Sequence, residues 1–274
     1  MESAKTSTAT PMNREEISDF LVEQGAVLVG FAPVDRFAEA PVGHRPEDFL
    51  KTARSVIVWA VPVPKGNFHY EHYLKDSQEF PHEHRLAILH NHVYGRLAYS
   101  TLNIMLDQMA VGLLWKLEAA GQRAVGFPAT YAEYFGAASD TARSGYRAPF
   151  SHRHAAVAAG LGEFGLNNLV LTPGYGPRVR FNSIITDLEL EPTPLLDRPL
   201  CLRESCRRCL EGCVAIEVIT KDFDGIFYQT PSRTDPIRCT QDPRCQTRGS
   251  CLRACPLTGQ GSGRVLDVPF GPEG

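Results

Sequence analysis

The sequence has no cysteine before residue 201, no marked excess of charge and no long apolar run. Lys+Arg number 28 against Asp+Glu 31, a net charge of −3. That balance offers no general attraction to a polyanion, so a nucleic-acid partner is not expected. No stretch approaches the length of a membrane-spanning helix. The first twelve residues, Met1 to Met12, are polar and small, with neither an apolar signal core nor a twin-arginine pair. A soluble, cytoplasmic chain is the expectation, and a reducing compartment would keep its thiols free. Nothing repeats at a solenoid period. With 274 residues and 43% hydrophobic content, the chain can form a sizeable core plus a smaller second unit.

All eight cysteines lie between Cys201 and Cys255. They form two runs of four: Cys201, Cys206, Cys209 and Cys213, then Cys239, Cys245, Cys251 and Cys255, the last followed by Pro256. Three readings compete. Disulfides suit an oxidising compartment, which the N-terminus does not suggest. Zinc favours paired short spacings; Cys206/Cys209 is the one Cys-x2-Cys, though two Cys-x3-Cys pairs keep zinc open. Iron–sulfur clusters match more of the pattern. The bacterial ferredoxin run is C-x2-C-x2-C-x3-C-P, with its fourth cysteine crossing to the other cluster. Cys251-Leu-Arg-Ala-Cys255-Pro256 has that ending, whereas Val214 replaces the proline after Cys213. If the crossover applies, Cys201, Cys206, Cys209 and Cys255 hold one 4Fe–4S cluster. Cys239, Cys245, Cys251 and Cys213 hold the second.

Asn13 and Glu16 form a capping-box pattern before the stripe Ile17, Phe20, Leu21, and Gly25 is placed to end that helix. Residues 26–32 and Ser55 to Val61 read as strands, the second apolar enough to be covered on both faces. Pro46 opens a short helix. His69, His72, His82 and His84 fall in a stretch expected to be a surface loop lining a pocket rather than a metal site. A long helical pattern runs from about Arg85 to Ala120, divided at Gly95, with Met105, Met109 and Trp115 expected in the core. Arg123 to Phe127 reads as a strand and Ser151 to Leu161 as a small-residue helix. Asn168 to Thr172 and Arg178 to Thr186 read as two strands joined by the Pro173–Pro177 turn. The proline-rich Glu191 to Pro199 is the linker into the cysteine segment. The pattern suggests α+β or α/β, with an appended cluster domain.

Gly160, Gly162 and Gly165 make a G-x-G-x-x-G, but it follows a helix rather than a strand, which is poor for a dinucleotide fingerprint. The glycines either end the helix and turn the chain or let a bulky cofactor approach the backbone closely. Arg178 and Arg180 alternate, so both could face one side and bind an anion.

The stretch Ser151–Gly165, continuing through Leu171–Arg180 to Thr186–Leu188, resembles the cobalamin-binding core of the reductive dehalogenases and the epoxyqueuosine reductases. Gly30–Pro33, Gly43–Asp48 and Ser55–Val58 resemble soluble members of the same superfamily. The resemblance covers most of residues 13–260. It implies an α+β fold: a nitroreductase-like sandwich core with an appended ferredoxin-like domain holding two 4Fe–4S clusters. The implied division is a disordered 1–12, a corrinoid-binding domain 13–196, a cluster domain 197–260 and a tail 261–274. Gly160, Gly162, Gly165, Asn168, Tyr175, Arg178 and Arg180 would contact the corrinoid. Tyr146 falls where the epoxyqueuosine reductases carry a proton-donating aspartate, and respiratory dehalogenases use a tyrosine for that step. It is the leading candidate proton donor, with His152 and His154 as alternates.

The expectation is a reductase that takes electrons from a low-potential donor such as a ferredoxin or flavodoxin. It would cleave a carbon–heteroatom bond in a small organic substrate. The alternatives are an electron carrier or reductive activator of a corrinoid protein, and a zinc-stabilised binding module. Substrate and oligomeric state are not legible.

Overall fold

The computed structural model describes residues 10–69, 88–130, 148–213 and 249–259. Helix α1 (Arg14–Glu23) begins as its sequence dictates. The Asn13 side chain accepts from the Glu16 N–H, and the Glu16 carboxylate accepts from the Asn13 N–H, each at 2.9 Å. Strand β1 (Leu28–Pro33) starts two residues later than the apolar run suggests. Short helix α2 (Pro46–Phe49) leads to β2 (Ser55–Pro62).

Strand β2 is buried along its length as far as Val61, because the sheet places it between β1 and a later strand while helices cover both faces. Ile57 and Trp59 point to one layer and Val56 and Val58 to the other. Truncating Ile57 to alanine would cost about 2–5 kcal/mol in lost transfer energy and cavity.

After α3 (Lys65–Phe68), a π-helical stretch (His90–Thr101) runs directly into α4 (Leu102–Ala119). Gly95 lies inside the wide-turn stretch, so the change in helix type, rather than a break at that glycine, divides the segment. Met109 is buried as expected, but Trp115 is 68% exposed. The helical spacing was there; the outward face of α4 was not legible from it.

Strand β3 (Ala124–Gly126) follows, then α5 (His152–Ala158), capped by the Ser151 hydroxyl. Two short strands, β4 (Glu163–Phe164) and β5 (Val170–Leu171), form their own antiparallel pair. The two strands expected on either side of the Pro173–Pro177 turn are both present, but β5 pairs backwards with β4 through the glycine-rich loop, and the strand after the turn, β6 (Val179–Thr186), joins the main sheet. Among the described residues the main sheet has order β1-β2-β6-β3, every pair antiparallel. Helix α5 packs on one face; α1 and α4 pack on the other. The architecture is mixed helix and sheet, and no described helix is long and apolar enough to cross a membrane.

The proline-rich segment after β6 is laced to this core. Thr193 exchanges hydrogen bonds with Phe31, and the Arg36 guanidinium donates to the carbonyls of Ala158 and Thr193. Short helices α6 (Arg208–Glu211) and α7 (Ser250–Arg253) carry Cys209 and Cys251 and pack on each other.

Candidate redox site

The two cysteine runs meet where Gly212 faces Ala254. A Cβ on Gly212 would stand 2.8 Å from the Ala254 Cβ, so only a glycine allows this approach. Gly212 precedes Cys213 and Ala254 precedes Cys255, and the contact therefore brings the end of one run to the end of the other. None of the six described cysteines is in a disulfide. Cys239 and Cys245 lie outside the described residues.

Cys255 is buried and Cys201, Cys206, Cys209 and Cys213 are half-buried. Burial pushes the Cys209 thiol up to about 11, with the charges of Cys201 and Cys255 adding to it. Burial also raises Cys255, again with contributions from Cys201 and Cys206. Cys255 thus lies within electrostatic reach of Cys201, Cys206 and Cys209, and Cys201 within reach of Cys209. Among the described residues no three His, Cys, Asp or Glu side chains converge as a single metal ion requires. A four-iron cluster spreads its thiolates around a larger body. Four thiols gathered around buried Cys255 fit that group, since iron stabilises the thiolate that burial disfavours.

Three contacts tie the cysteine segment to the core. Leu252 packs against Val63, Phe68, Tyr94 and Ala98. The Leu257 backbone lies against Gly176, where a Cβ would come within 2.7 Å of its carbonyl oxygen. The third is Glu163, whose carboxylate is fully buried. Its Oε1 accepts from the N–H of Leu200 at 2.6 Å and from the N–H of Cys201, while Oε2 pairs with the Arg203 guanidinium at 3.3 Å. Burial raises its pKa against the pull of those donors. Glu163 was not among the residues expected from the sequence. The available signal was that it is the single charged residue between Ala155 and Thr172.

The expected corrinoid contacts divide into two groups. Gly160 has φ +70 and a missing Cβ that would lie 2.0 Å from the Pro194 carbonyl oxygen. Gly162 faces the Leu171 carbonyl and Gly165 faces Asn167 and Leu171. Gly160 and Gly162 admit the protein's own backbone, and Gly165 admits the side chains of Asn167 and Leu171. Arg178 is fully buried and donates to the Val63 carbonyl at 2.5 Å, beside the Tyr175 ring. Arg180 instead lies over the Tyr99 ring at 4.0 Å and bonds the Asn103 side-chain oxygen. The Nδ2 of fully buried Asn103 has no partner among the described residues, nor have the indole N–H of Trp59 and the Oδ1 of Asn168. The orphaned Nδ2 of Asn103, beside Arg180, fits a ligand that offers amide or phosphate oxygens, and these two are the residues that would hold it. Tyr94, whose pKa burial raises, feels the charges of Arg180, Arg253 and Cys251, so this polar seam extends to the cysteine segment.

Of the candidate proton donors, Tyr146 lies outside the described residues, as do His72, His82 and His84. His152 is buried, its Nε2–H donating to the Pro128 carbonyl at 3.0 Å and its Nδ1 accepting from Ser183 at 2.7 Å. Burial lowers it to about 4. His154 bonds the Ser151 hydroxyl at 2.7 Å and rests on the Phe164 ring; burial lowers it to about 4 as well, with Arg153 adding to the shift. Both histidines are neutral near pH 7 and already hydrogen-bonded within the core.

No protein-family model matches the sequence. Tetrachloroethene reductive dehalogenases of Desulfitobacterium hafniense and Dehalobacter restrictus are 46% identical over 77 residues, which is 27% of this chain and 13% of theirs. The epoxyqueuosine reductase of Streptococcus thermophilus superposes with a TM-score of 0.54 at 20% identity, covering 94% of this chain and 69% of that one. A catabolic reductive dehalogenase gives a TM-score of 0.55 at 18% identity, covering 95% of this chain and 34% of its own. The chain has the fold that these two groups of reductase share. The dehalogenase-like local sequence supports the same superfamily. Another epoxyqueuosine reductase with this fold was solved with a tRNA stem loop, at a TM-score of 0.53, 19% identity and coverage of 90% and 66% of the two chains.

Proposed function

We propose that this protein is an iron–sulfur oxidoreductase that reductively cleaves a carbon–heteroatom bond, of halide or epoxide type, in a small organic substrate. The observation that carries the reading is the packing of the two cysteine runs through Gly212 and Ala254, on a fold shared with reductases of that kind. Residues 13–196 would be a nitroreductase-like core and 197–260 a ferredoxin-like cluster domain. Two 4Fe–4S clusters would accept electrons from a low-potential donor such as a ferredoxin or flavodoxin. Their crossed ligation would use Cys201, Cys206, Cys209 and Cys255 for one cluster, and Cys213, Cys239, Cys245 and Cys251 for the other.

A corrinoid, when bound, would supply low-valent cobalt, in line with the B12-dependent dehalogenation named for a relative of the same fold. Arg180 and Asn103 would orient its polar periphery. Tyr146 is the proposed proton donor, because both ring nitrogens of His152 are committed and burial holds His154 unprotonated near pH 7. The net charge of −3 favours a small substrate over RNA.

One observation favours a second reading, an electron carrier or reductive activator with no substrate of its own. The space beside Gly160, Gly162 and Gly165 is filled by the chain itself. Anoxic purification followed by cobalamin addition separates the two. About eight iron and eight sulfide per chain, with a base-off cobalamin spectrum, supports the reductase. The same iron content with no corrinoid bound under reducing conditions leaves the carrier. Zinc in place of iron and sulfide overturns both.

A further inference from the structure

A fully buried carboxylate is costly unless its lone pairs are met. Glu163 in β4 meets that requirement entirely with groups of the cysteine segment: the N–H of Leu200, the N–H of Cys201 and the Arg203 guanidinium. Every contact is with a donor, so the geometry serves the ionised form, since a carboxylic acid would leave its O–H without an acceptor. Arg203 has φ +50, a left-handed conformation unfavourable for a residue with a side chain, and its side chain still reaches back to Glu163.

The consequence falls on Cys201, the first thiolate. Its own N–H points to Glu163 and is not available to a cluster sulfur. Hydrogen bonds to sulfur and nearby positive charge both raise a cluster's potential, because each stabilises the added electron. Glu163 withdraws one such donor and places a negative charge beside it, and Arg203 offsets part of that charge.

We propose that Glu163 is a positioning residue for the cluster held by Cys201, Cys206, Cys209 and Cys255, fixing the Cys201 thiolate and holding that cluster at low potential. The inference rests on the two-cluster reading above. It makes Arg203 the opposing element of the same device.

The test is a redox titration, followed by electron paramagnetic resonance, of the anoxically purified full chain. Wild type, Glu163→Gln and Arg203→Gln are compared, with iron and sulfide measured on each. Glu163→Gln is expected to shift one cluster's midpoint potential upward and leave the other in place. Arg203→Gln is expected to shift the same cluster downward. Opposite signs are something a purely structural role would not produce. Unchanged potentials in variants that keep their iron, or shifts of the same sign in both, would overturn the proposal. If Glu163→Gln fails to fold, the downward shift in Arg203→Gln decides alone. A wild-type chain with no iron and sulfide removes the cluster reading itself, a failure visible before any variant is made.

Discussion

Mild acid should destabilise this protein through His152, in a window the structure defines. The imidazole is buried at the start of α5, donating to the Pro128 carbonyl and accepting from Ser183. A second proton would have to go on Nδ1, where the Ser183 hydroxyl now donates, with no carboxylate of the described residues against the ring and the Arg180 charge within reach. Burial is the larger cause, and the folded pKa falls from 6.5 to about 4. In the unfolded chain the same group titrates near its ordinary value. Between the two, the unfolded state binds more protons, so stability falls as the pH drops. The stabilisation is fully present above about pH 6.5 and is lost progressively towards pH 4. At about 1.4 kcal/mol per pKa unit, the loss reaches about 3 kcal/mol. His154, lowered to about 4, acts in the same direction from a less enclosed position. The measurement is urea unfolding of the full chain, kept anoxic, at intervals from pH 7 to pH 4. His152→Gln should be less stable at pH 7, yet its stability should fall less steeply with acid. Parallel pH profiles in wild type and His152→Gln would refute the reasoning, since the dependence would then come from elsewhere.

Gly160→Ala should cost about 2–4 kcal/mol, combining an unfavourable φ with overpacking against the Pro194 carbonyl oxygen, and should show as a clearly lowered Tm. Gly43→Ala is the control: φ is +87 with nothing within 4 Å of the new Cβ, so only the conformational cost of about 1–2 kcal/mol remains. Cys206→Ser should lower iron and sulfide to about half of the wild-type content, because one of two clusters loses a ligand; full retention would remove the two-cluster assignment. Trp115→Gln, on the solvent face of α4, should change stability by no more than about 0.5 kcal/mol in denaturant unfolding.

Features governed by neighbouring residues were legible in the sequence. The Asn13–Glu16 capping box, the Pro46 helix start and the buried run of β2 depend on contacts or patterns within a few positions. Gly160 was legible as a helix stop for the same reason, but what fills the space beside it was not. Pro194 reaches that space only because the chain returns across β1 through Thr193 and Phe31. The pairing of β5 with β4 was missed because two-residue strands carry no periodicity to read. Trp115 was misplaced because α4 is apolar around much of its circumference, and spacing alone does not say which side the sheet covers.

By itself the sequence determined the inventory of chemistry: eight thiols in two runs, a glycine-rich loop, and a charge balance without pull on polyanions. It also determined the local elements, whose caps and propensities act over one or two turns of chain. Only the tertiary structure decided which groups meet. The joining of the two runs at Gly212 and Ala254, the enclosure of His152 between Pro128 and Ser183, and the tie from Glu163 to Cys201 are all contacts between distant segments. Burial turned Glu163, one carboxylate in an apolar stretch, into the anchor of the first cysteine. Its unsatisfied oxygens had to find donors, and the folded chain supplied them from the cysteine segment.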